Sequence, residues 1–154
     1  MSNDKSKLDF EIRELRRSDL RNGFFETLLN LSQVGPISQD LEQATKILVN
    51  IEENKLSKIY VAVGDNGQII GSITLLVEQK FIHNGGKVGH IEDVVTRKEY
   101  SGKGVGSALV KKCIEMAQEA KCYKVILDCS VGNIQFYEKS GFREHEIAMR
   151  LDID

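Results

Sequence analysis

Ser101–Lys112 reads SGKGVGSALVKK, with three glycines in five residues (Gly102, Gly104, Gly106) and then apolar residues at helical spacing. It follows KVGHIEDVVTR, Lys87–Arg97, which reads as a strand. The first N–H groups of a helix have no partner inside it and point outward at the positive end of the helix dipole. Glycines let a ligand approach that backbone without a Cβ in the way. A strand, a glycine turn and a helix in this order can therefore cradle a phosphate, and Lys103 adds a positive charge beside it. A Walker loop needs GxxxxGK[ST], which this chain lacks, and the spacing 102, 104, 106 misplaces the third glycine of GxGxxG. A glycine-rich helix start that binds nothing is the plain alternative.

Working outward, the helix from Gly104 places Val105, Leu109, Cys113, Met116, Ala117 and Ala120 at helical spacing. In the preceding strand Val88, His90, Glu92 and Val94 fall on one face, and Gly89, Ile91, Asp93 and Val95 on the other. Lys124–Ser130, KVILDCS, is apolar and β-branched, as a central strand would be. A right-handed crossover should join the strand near Val94 to the one near Ile126. Gly132-Asn133 opens a short helix through Lys139 with Asn133 as its cap, Ser140-Gly141 ends it, and FREHEIAMRLD reads as a last strand.

On the N-terminal side, residues 1–7 form a short polar tail ahead of a single domain over 8–154. Asp9–Leu15 alternates like a strand, and Asp19–Leu31 looks helical through Leu20, Phe24, Leu28 and Leu31. Pro36 marks a break, Gln39–Asn54 suits a second helix, and Lys58–Gly64 is a strand. Asp65-Asn66-Gly67 turns into the long strand beginning at Gln68, and Asn84-Gly85-Gly86 is another turn. The order β, α, α, three strands, α, β, α, β predicts an α/β (α+β) protein: a mixed, mostly antiparallel sheet with helices on both faces.

The chain has 154 residues and a formal charge of -2, from 21 basic and 23 acidic residues, which argues against a general nucleic-acid binder. No apolar run suits a membrane span and the N-terminus lacks a secretory signal, so a cytoplasmic place is the default. The three cysteines, Cys113, Cys122 and Cys129, lack CxxC spacing and read as core thiols. His83, His90 and His145 are scattered with no HxxxH pair, so no metal is expected.

Ser101-Gly102-Lys103-Gly104-Val105-Gly106 resembles the Q/R-x-x-G-x-G/A signature of the GNAT family of acetyl-coenzyme A-dependent N-acetyltransferases, with Ser101 in place of the usual Gln or Arg. NIQFYEKSGF, Asn133–Phe142, is similar to that family's second signature in compressed form, and the order of elements matches. QKFIH (Gln79–His83), GHIEDVV (Gly89–Val95), CYKVILDC (Cys122–Cys129) and FYEKSGF (Phe136–Phe142) together resemble the glucosamine 6-phosphate N-acetyltransferase branch.

The resemblance implies the GNAT fold and transfer of acetyl from acetyl-coenzyme A to the 2-amino group of glucosamine 6-phosphate. It places the carrier's diphosphate on the amides of Gly102, Lys103, Gly104, Val105, Gly106 and Ser107, and its pantetheine arm along Val94, Val95 and Thr96. Asn133 and Tyr137 close the thioester end. A strand bulge near Val94 would free an N–H for the oxyanion. Tyr137 is the candidate acid for the leaving thiolate, and Glu92 or the carbonyl of Asp128 the acceptor of the amine's proton. Ser32, Lys80, His83 and Lys124 would hold the sugar phosphate, and one of Glu92 and Asp93, whose side chains should point to opposite faces, would bind sugar hydroxyls from a neighbouring position or across a subunit boundary. Asp152 stands where that family often carries a basic residue. A homodimer with the last strand exchanged or shared is also implied. Two other readings stay open: a GNAT enzyme acting on another amine, and an acyl-coenzyme A sensor without catalysis.

Overall fold

A computed structural model describes residues 7–153; the polar tail expected over 1–7 lies, apart from Lys7, outside the described residues. The elements run β1 (Phe10–Glu14), a 3-10 turn (Arg17–Arg21), α1 (Phe24–Leu28), a 3-10 turn (Pro36–Gln39), α2 (Leu41–Glu53), β2 (Ser57–Gly64) and β3 (Ile69–Gln79). A four-residue turn, α3 (Ile82–Gly85), leads into β4 (Lys87–Thr96), α4 (Val105–Glu119), β5 (Cys122–Ile126) and α5 (Ile134–Glu138). Strand order in the sheet is β1-β2-β3-β4-β5, antiparallel except for the parallel β4–β5 pair, which α4 connects. This is the mixed, mostly antiparallel sheet that the sequence predicts.

Helices cover both faces. On one, α4 buries Val105, Leu109, Val110, Cys113 and Ala117 against Ala62, Ile70, Ile73, Leu75 and Ile91. On the other, α1 and α2 close over Val61 and Ile69 with Leu20, Phe24, Ala44 and Leu48. Ile69, Ile70, Ile73 and Leu109 are fully buried, each contributing on the order of 1.5–3 kcal/mol. Gly71 lets α4 approach the sheet: a Cβ there would lie 2.8 Å from Val105 and 3.0 Å from Leu109.

The helix expected over Asp19–Leu31 is broken in two, because Gly23 takes a left-handed φ of 92°. Ahead of the break, buried Asp19 accepts two hydrogen bonds from Arg13 (2.7 and 2.8 Å) and one from Arg16 N (2.7 Å), which winds that stretch as a 3-10 turn. Burial favours the neutral carboxyl, but the Arg13 and Arg16 contacts outweigh it and hold Asp19 below the usual carboxylate range. The second helix is capped by Asp40, whose side chain accepts from Gln43 N, and Pro36 opens the 3-10 turn before it.

Three expectations about the C-terminal third are corrected. β5 lies at the sheet edge, and its regular part ends at Ile126, so Asp128 and Cys129 are exposed rather than core. Asn133 makes no side-chain cap bond. The FREHEIAMRLD segment pairs with no described strand. Its alternate residues Ile147, Met149, Leu151 and Ile153 are 82–95% exposed. The alternation that suggested a strand is present, but the segment joins neither free edge of the sheet within the chain.

Candidate active site

At the exit of β4, Gly102 and Gly104 have left-handed φ of 72° and 86°, and a Cβ on either would meet nothing within 4 Å. None of the N–H groups from Gly102 to Ser107 donates to a described backbone carbonyl; the first that does is Ala108, to Gly104 O at 3.1 Å. Six amides without a described main-chain acceptor therefore stand at the positive end of a 15-residue helix, with open space at Gly102 and Gly104. Lys103 is exposed and lies 5.8 Å from the Tyr100 ring, and the Val105 side chain is buried in the core. Gly106 has a different reason to be glycine. A Cβ there would come within 3.1 Å of Phe136, so this glycine seats α5 against the mouth of α4. The geometry fits a diphosphate held by main-chain donors.

β4 bulges near Val94, as the family resemblance implies. Ser72 pairs with Val95 and Thr74 with Glu92, so Ile73 alone faces Asp93 and Val94. Asp93 has a φ of 50°. The extra residue reverses the alternation and corrects the expected faces. Ile91 and Thr96, five residues apart, both pair with α4-side residues, Leu75 and Gly71. Val94 turns to the α4 side and packs on that core, while buried Val95 stands opposite Ser72 on the α1/α2 side. Glu92 and Asp93, expected on opposite faces, both stand on the α1/α2 side. Glu92 is opposite Thr74, and Asp93 lines a cavity with Thr74 and Ser72.

That cavity, of about 370 Å³, lies between α1, α2 and the sheet, and Ser32, Gln33 and Val34 form part of its lining. Ser72 and Thr74 join the lining without having been among the expected site residues. Their signal was two hydroxyls in an otherwise apolar strand, IIGSITLLV. β4 and β5 pair only from Lys87 to His90, so past Ile126 the strands part and leave Glu92–Thr96 without a partner on that edge. An extended group can pair there as an added strand does.

Glu92 is pushed above the usual carboxylate range by burial and by the nearby Asp128 and Asp93 charges, with His90 opposing. Tyr137 belongs to the α4-side core with Val105, and its ring meets Phe136 and Phe142 edge-on at 4.9 and 6.0 Å. Its hydroxyl has no partner among the described residues, yet no such polar atom is fully buried, so the hydroxyl reaches the surface. Burial raises its pKa, with Cys129 adding to the effect. Asn133 is exposed at the start of α5.

The cations form a separate group. Lys80 is paired with Glu78 at 2.8 Å, and Glu78 also takes His90 at 2.8 Å. His83 stacks on Tyr123 at 4.1 Å, and Lys124 lies 5.8 Å from the same ring. Lys124 is opposite Val88, four residues up β4 from Glu92 or about 13 Å along the strand. These residues stand at the other end of β4 from the glycine turn and are not brought together with Ser32 and Asp93. Arg150 is engaged by Asp152 at 2.6 Å.

The family model "Acetyltransferase (GNAT) family" matches residues 18–142, and the chain belongs to that family. A Trypanosoma brucei brucei glucosamine 6-phosphate N-acetyltransferase is 40% identical over 146 residues, 95% of this chain and 97% of its own length. The Candida albicans enzyme of that name is also 40% identical, over 91% of this chain and 93% of its own. The crystal structure of the Arabidopsis thaliana glucosamine-6-phosphate N-acetyltransferase superposes with a TM-score of 0.86 at 36% identity, covering 95% of this chain and 99% of that one. Within the GNAT family, the chain groups with the glucosamine 6-phosphate N-acetyltransferases.

Proposed function

We propose that this chain, as a single domain over 8–154 behind a short tail, transfers the acetyl group of acetyl-coenzyme A to the 2-amino group of glucosamine 6-phosphate. The products are N-acetylglucosamine 6-phosphate and coenzyme A. The observation that carries the reading is the run of six unpartnered amides at the mouth of α4, together with the β4 edge left free by the parting of β4 and β5. The likeness to named enzymes over nearly the whole chain identifies the acceptor. Such a reaction supplies UDP-N-acetylglucosamine synthesis and suits a cytoplasmic protein.

Acetyl-coenzyme A, when bound, supplies a thioester carbonyl open to attack by an amine. The amides of Gly102–Ser107 hold the diphosphate, and Val94, Val95 and Thr96 hold the pantetheine arm. Glu92, with its pKa raised, is suited to take the proton that an amine must lose. Asp128 raises the affinity of Glu92 for that proton and can offer its carbonyl to the same amine. The bulge at Asp93–Val94 provides a fixed main-chain donor for the carbonyl oxygen. The Tyr137 hydroxyl donates to the departing sulfur, and Asn133 flanks it.

Ser32 and Asp93 meet the sugar. Lys124 stands about 13 Å along the sheet from Glu92, Lys80 is paired with Glu78, and Arg150 is paired with Asp152. The reading therefore takes the active unit as a homodimer in which the second copy completes phosphate binding. The exposed apolar alternation over residues 147–153 is what an exchanged strand requires. Thiol release from acetyl-coenzyme A with glucosamine 6-phosphate, set beside glucosamine, tests the assignment. Rapid release with the phosphate ester and at least tenfold less with the free sugar is expected; release with neither overturns it.

A further inference from the structure

The strand that carries the bulge leaves the sheet through Arg97, and this residue reaches across to the other half of the site. Its Nε donates to Thr27 Oγ1 at 3.1 Å and its Nη2 to Gly23 O at 3.1 Å. Thr27 is fully buried, and its hydroxyl lies 2.8 Å from both Gly23 O and Ile69 O. Gly23 is shaped for the arrangement, because a Cβ there would collide with the guanidinium. One residue on, Lys98 N donates to Asn30 Oδ1 at 3.0 Å, while Asn30 Nδ2 holds Glu26 O at 3.0 Å.

From Thr27 the chain is stiffened up to the cavity. Asn30 N bonds Thr27 O at 3.1 Å, and Leu31 N and Ser32 N both bond Leu28 O, at 2.9 and 3.1 Å. Ser32 then lines the cavity with Asp93. On the other side of the link, Tyr100 N returns to Arg97 O at 2.9 Å and Ser101 N to Lys98 O at 3.2 Å, immediately before the glycine turn. Two side chains, Arg97 and Asn30, thus tie the segment that grips the carrier to the segment that faces the acceptor.

We infer that Arg97 and Asn30 are positioning residues that make the carrier turn and the acceptor loop one mechanical unit, so that coenzyme A and the phosphosugar each tighten the other's binding. Neither residue touches a reacting group. A ligand that fixes residues 98–104 fixes Asn30 through the Lys98 amide, and with it Ser32. By linkage the effect is equal in the other direction. The inference rests on the acceptor reading given above.

Calorimetry with coenzyme A and glucosamine 6-phosphate, a pair that cannot react for want of an acetyl group, measures the coupling directly. Coenzyme A affinity is determined with and without saturating phosphosugar. The wild type should show a ratio of about fivefold or more. Asn30→Ala, at an exposed position, and Arg97→Gln should each bring the ratio within about twofold of one, while affinity for coenzyme A alone stays within about threefold. Asn30→Asp keeps the acceptor oxygen and should keep the coupling, which a merely destabilising loss would not. A wild-type ratio of one, or a ratio that survives both variants, overturns the inference, and survival in one variant removes that residue from it. A wild type that binds coenzyme A but neither binds nor acetylates glucosamine 6-phosphate overturns the acceptor reading itself.

Discussion

Glu92 and Asp93 are consecutive in a strand yet stand on the same side of the sheet, because Asp93 is the extra residue of a bulge with φ of 50°. Two carboxylates that simple alternation would separate are thereby held near each other and near Asp128. Burial raises the Glu92 pKa, and the crowding adds to it.

This crowding predicts a pH effect. Glu92 works as a proton acceptor only when ionised, so its contribution to kcat/KM is present above its raised pKa and is lost as pH falls through it. Asp128→Asn removes one of the anions that raise it. The acid limb of kcat/KM should then move to lower pH in that variant, and Glu92→Gln should flatten the limb with a loss of about a hundredfold or more. An acid limb that stays in place in Asp128→Asn would show that another group sets it.

Tyr137→Phe should lower kcat by about a hundredfold or more with coenzyme A affinity within about twofold, as expected for loss of a general acid. The ring, which packs on Phe136 and Phe142, is kept, so the melting temperature should barely change. Stopped-flow single turnovers isolate the chemical step, and an unchanged rate there removes the hydroxyl from the reaction.

Gly104→Val forces a β-branched residue to a φ of 86°, at a backbone cost of roughly 1–2 kcal/mol, and puts a side chain into the open space there. Coenzyme A binding should weaken by at least about tenfold, since two lost main-chain contacts of about 1 kcal/mol each suffice. Calorimetry on a variant with unaltered circular dichroism checks this; equal affinity in the folded variant refutes the cradle.

Asp19 is a stability prediction. Its folded pKa lies below the unfolded value, so the pair with Arg13 stabilises above the unfolded pKa and the contribution is lost as pH falls through the folded one. Asp19→Asn should cost about 3 kcal/mol at neutral pH and show less further loss on acidification than the wild type. Urea titrations from pH 7 downward give both quantities, and parallel pH profiles would sink the assignment.

Removing residues 143–154 should convert a dimer into a monomer, read by sedimentation equilibrium. It takes away the alternation of Ile147, Met149, Leu151 and Ile153 that no described strand covers. A dimer that survives the truncation would place the contact elsewhere.

Much of this architecture was legible because it rests on local chemistry. The glycine spacing from 102 to 106 marked a turn and a helix mouth, and the parallel crossover followed from β4, α4 and β5 in sequence. What escaped depended on contacts remote in the chain. The break at Gly23 answers to Arg97, 74 residues away, so helical periodicity alone carried the reading through it. The bulge was expected near Val94, but its effect on the faces was not, because one inserted residue inverts every position after it. β-branching in KVILDCS spoke for a buried strand, yet the parting from β4 leaves its end at the edge, with Asp128 and Cys129 in solvent. The sequence likewise could not show that Lys80 already has a partner in Glu78.

Gly71 lies in the middle of the sheet and faces no ligand, but it determines how low the first turn of α4 can rest. A methyl group there would act as a shim under Val105 and Leu109 and tilt the helix entrance away from β4. The proposed anion grip is thus calibrated from beneath, by an atom that is missing, and a core substitution remote from the chemistry would detune carrier affinity while leaving each contacting residue unchanged.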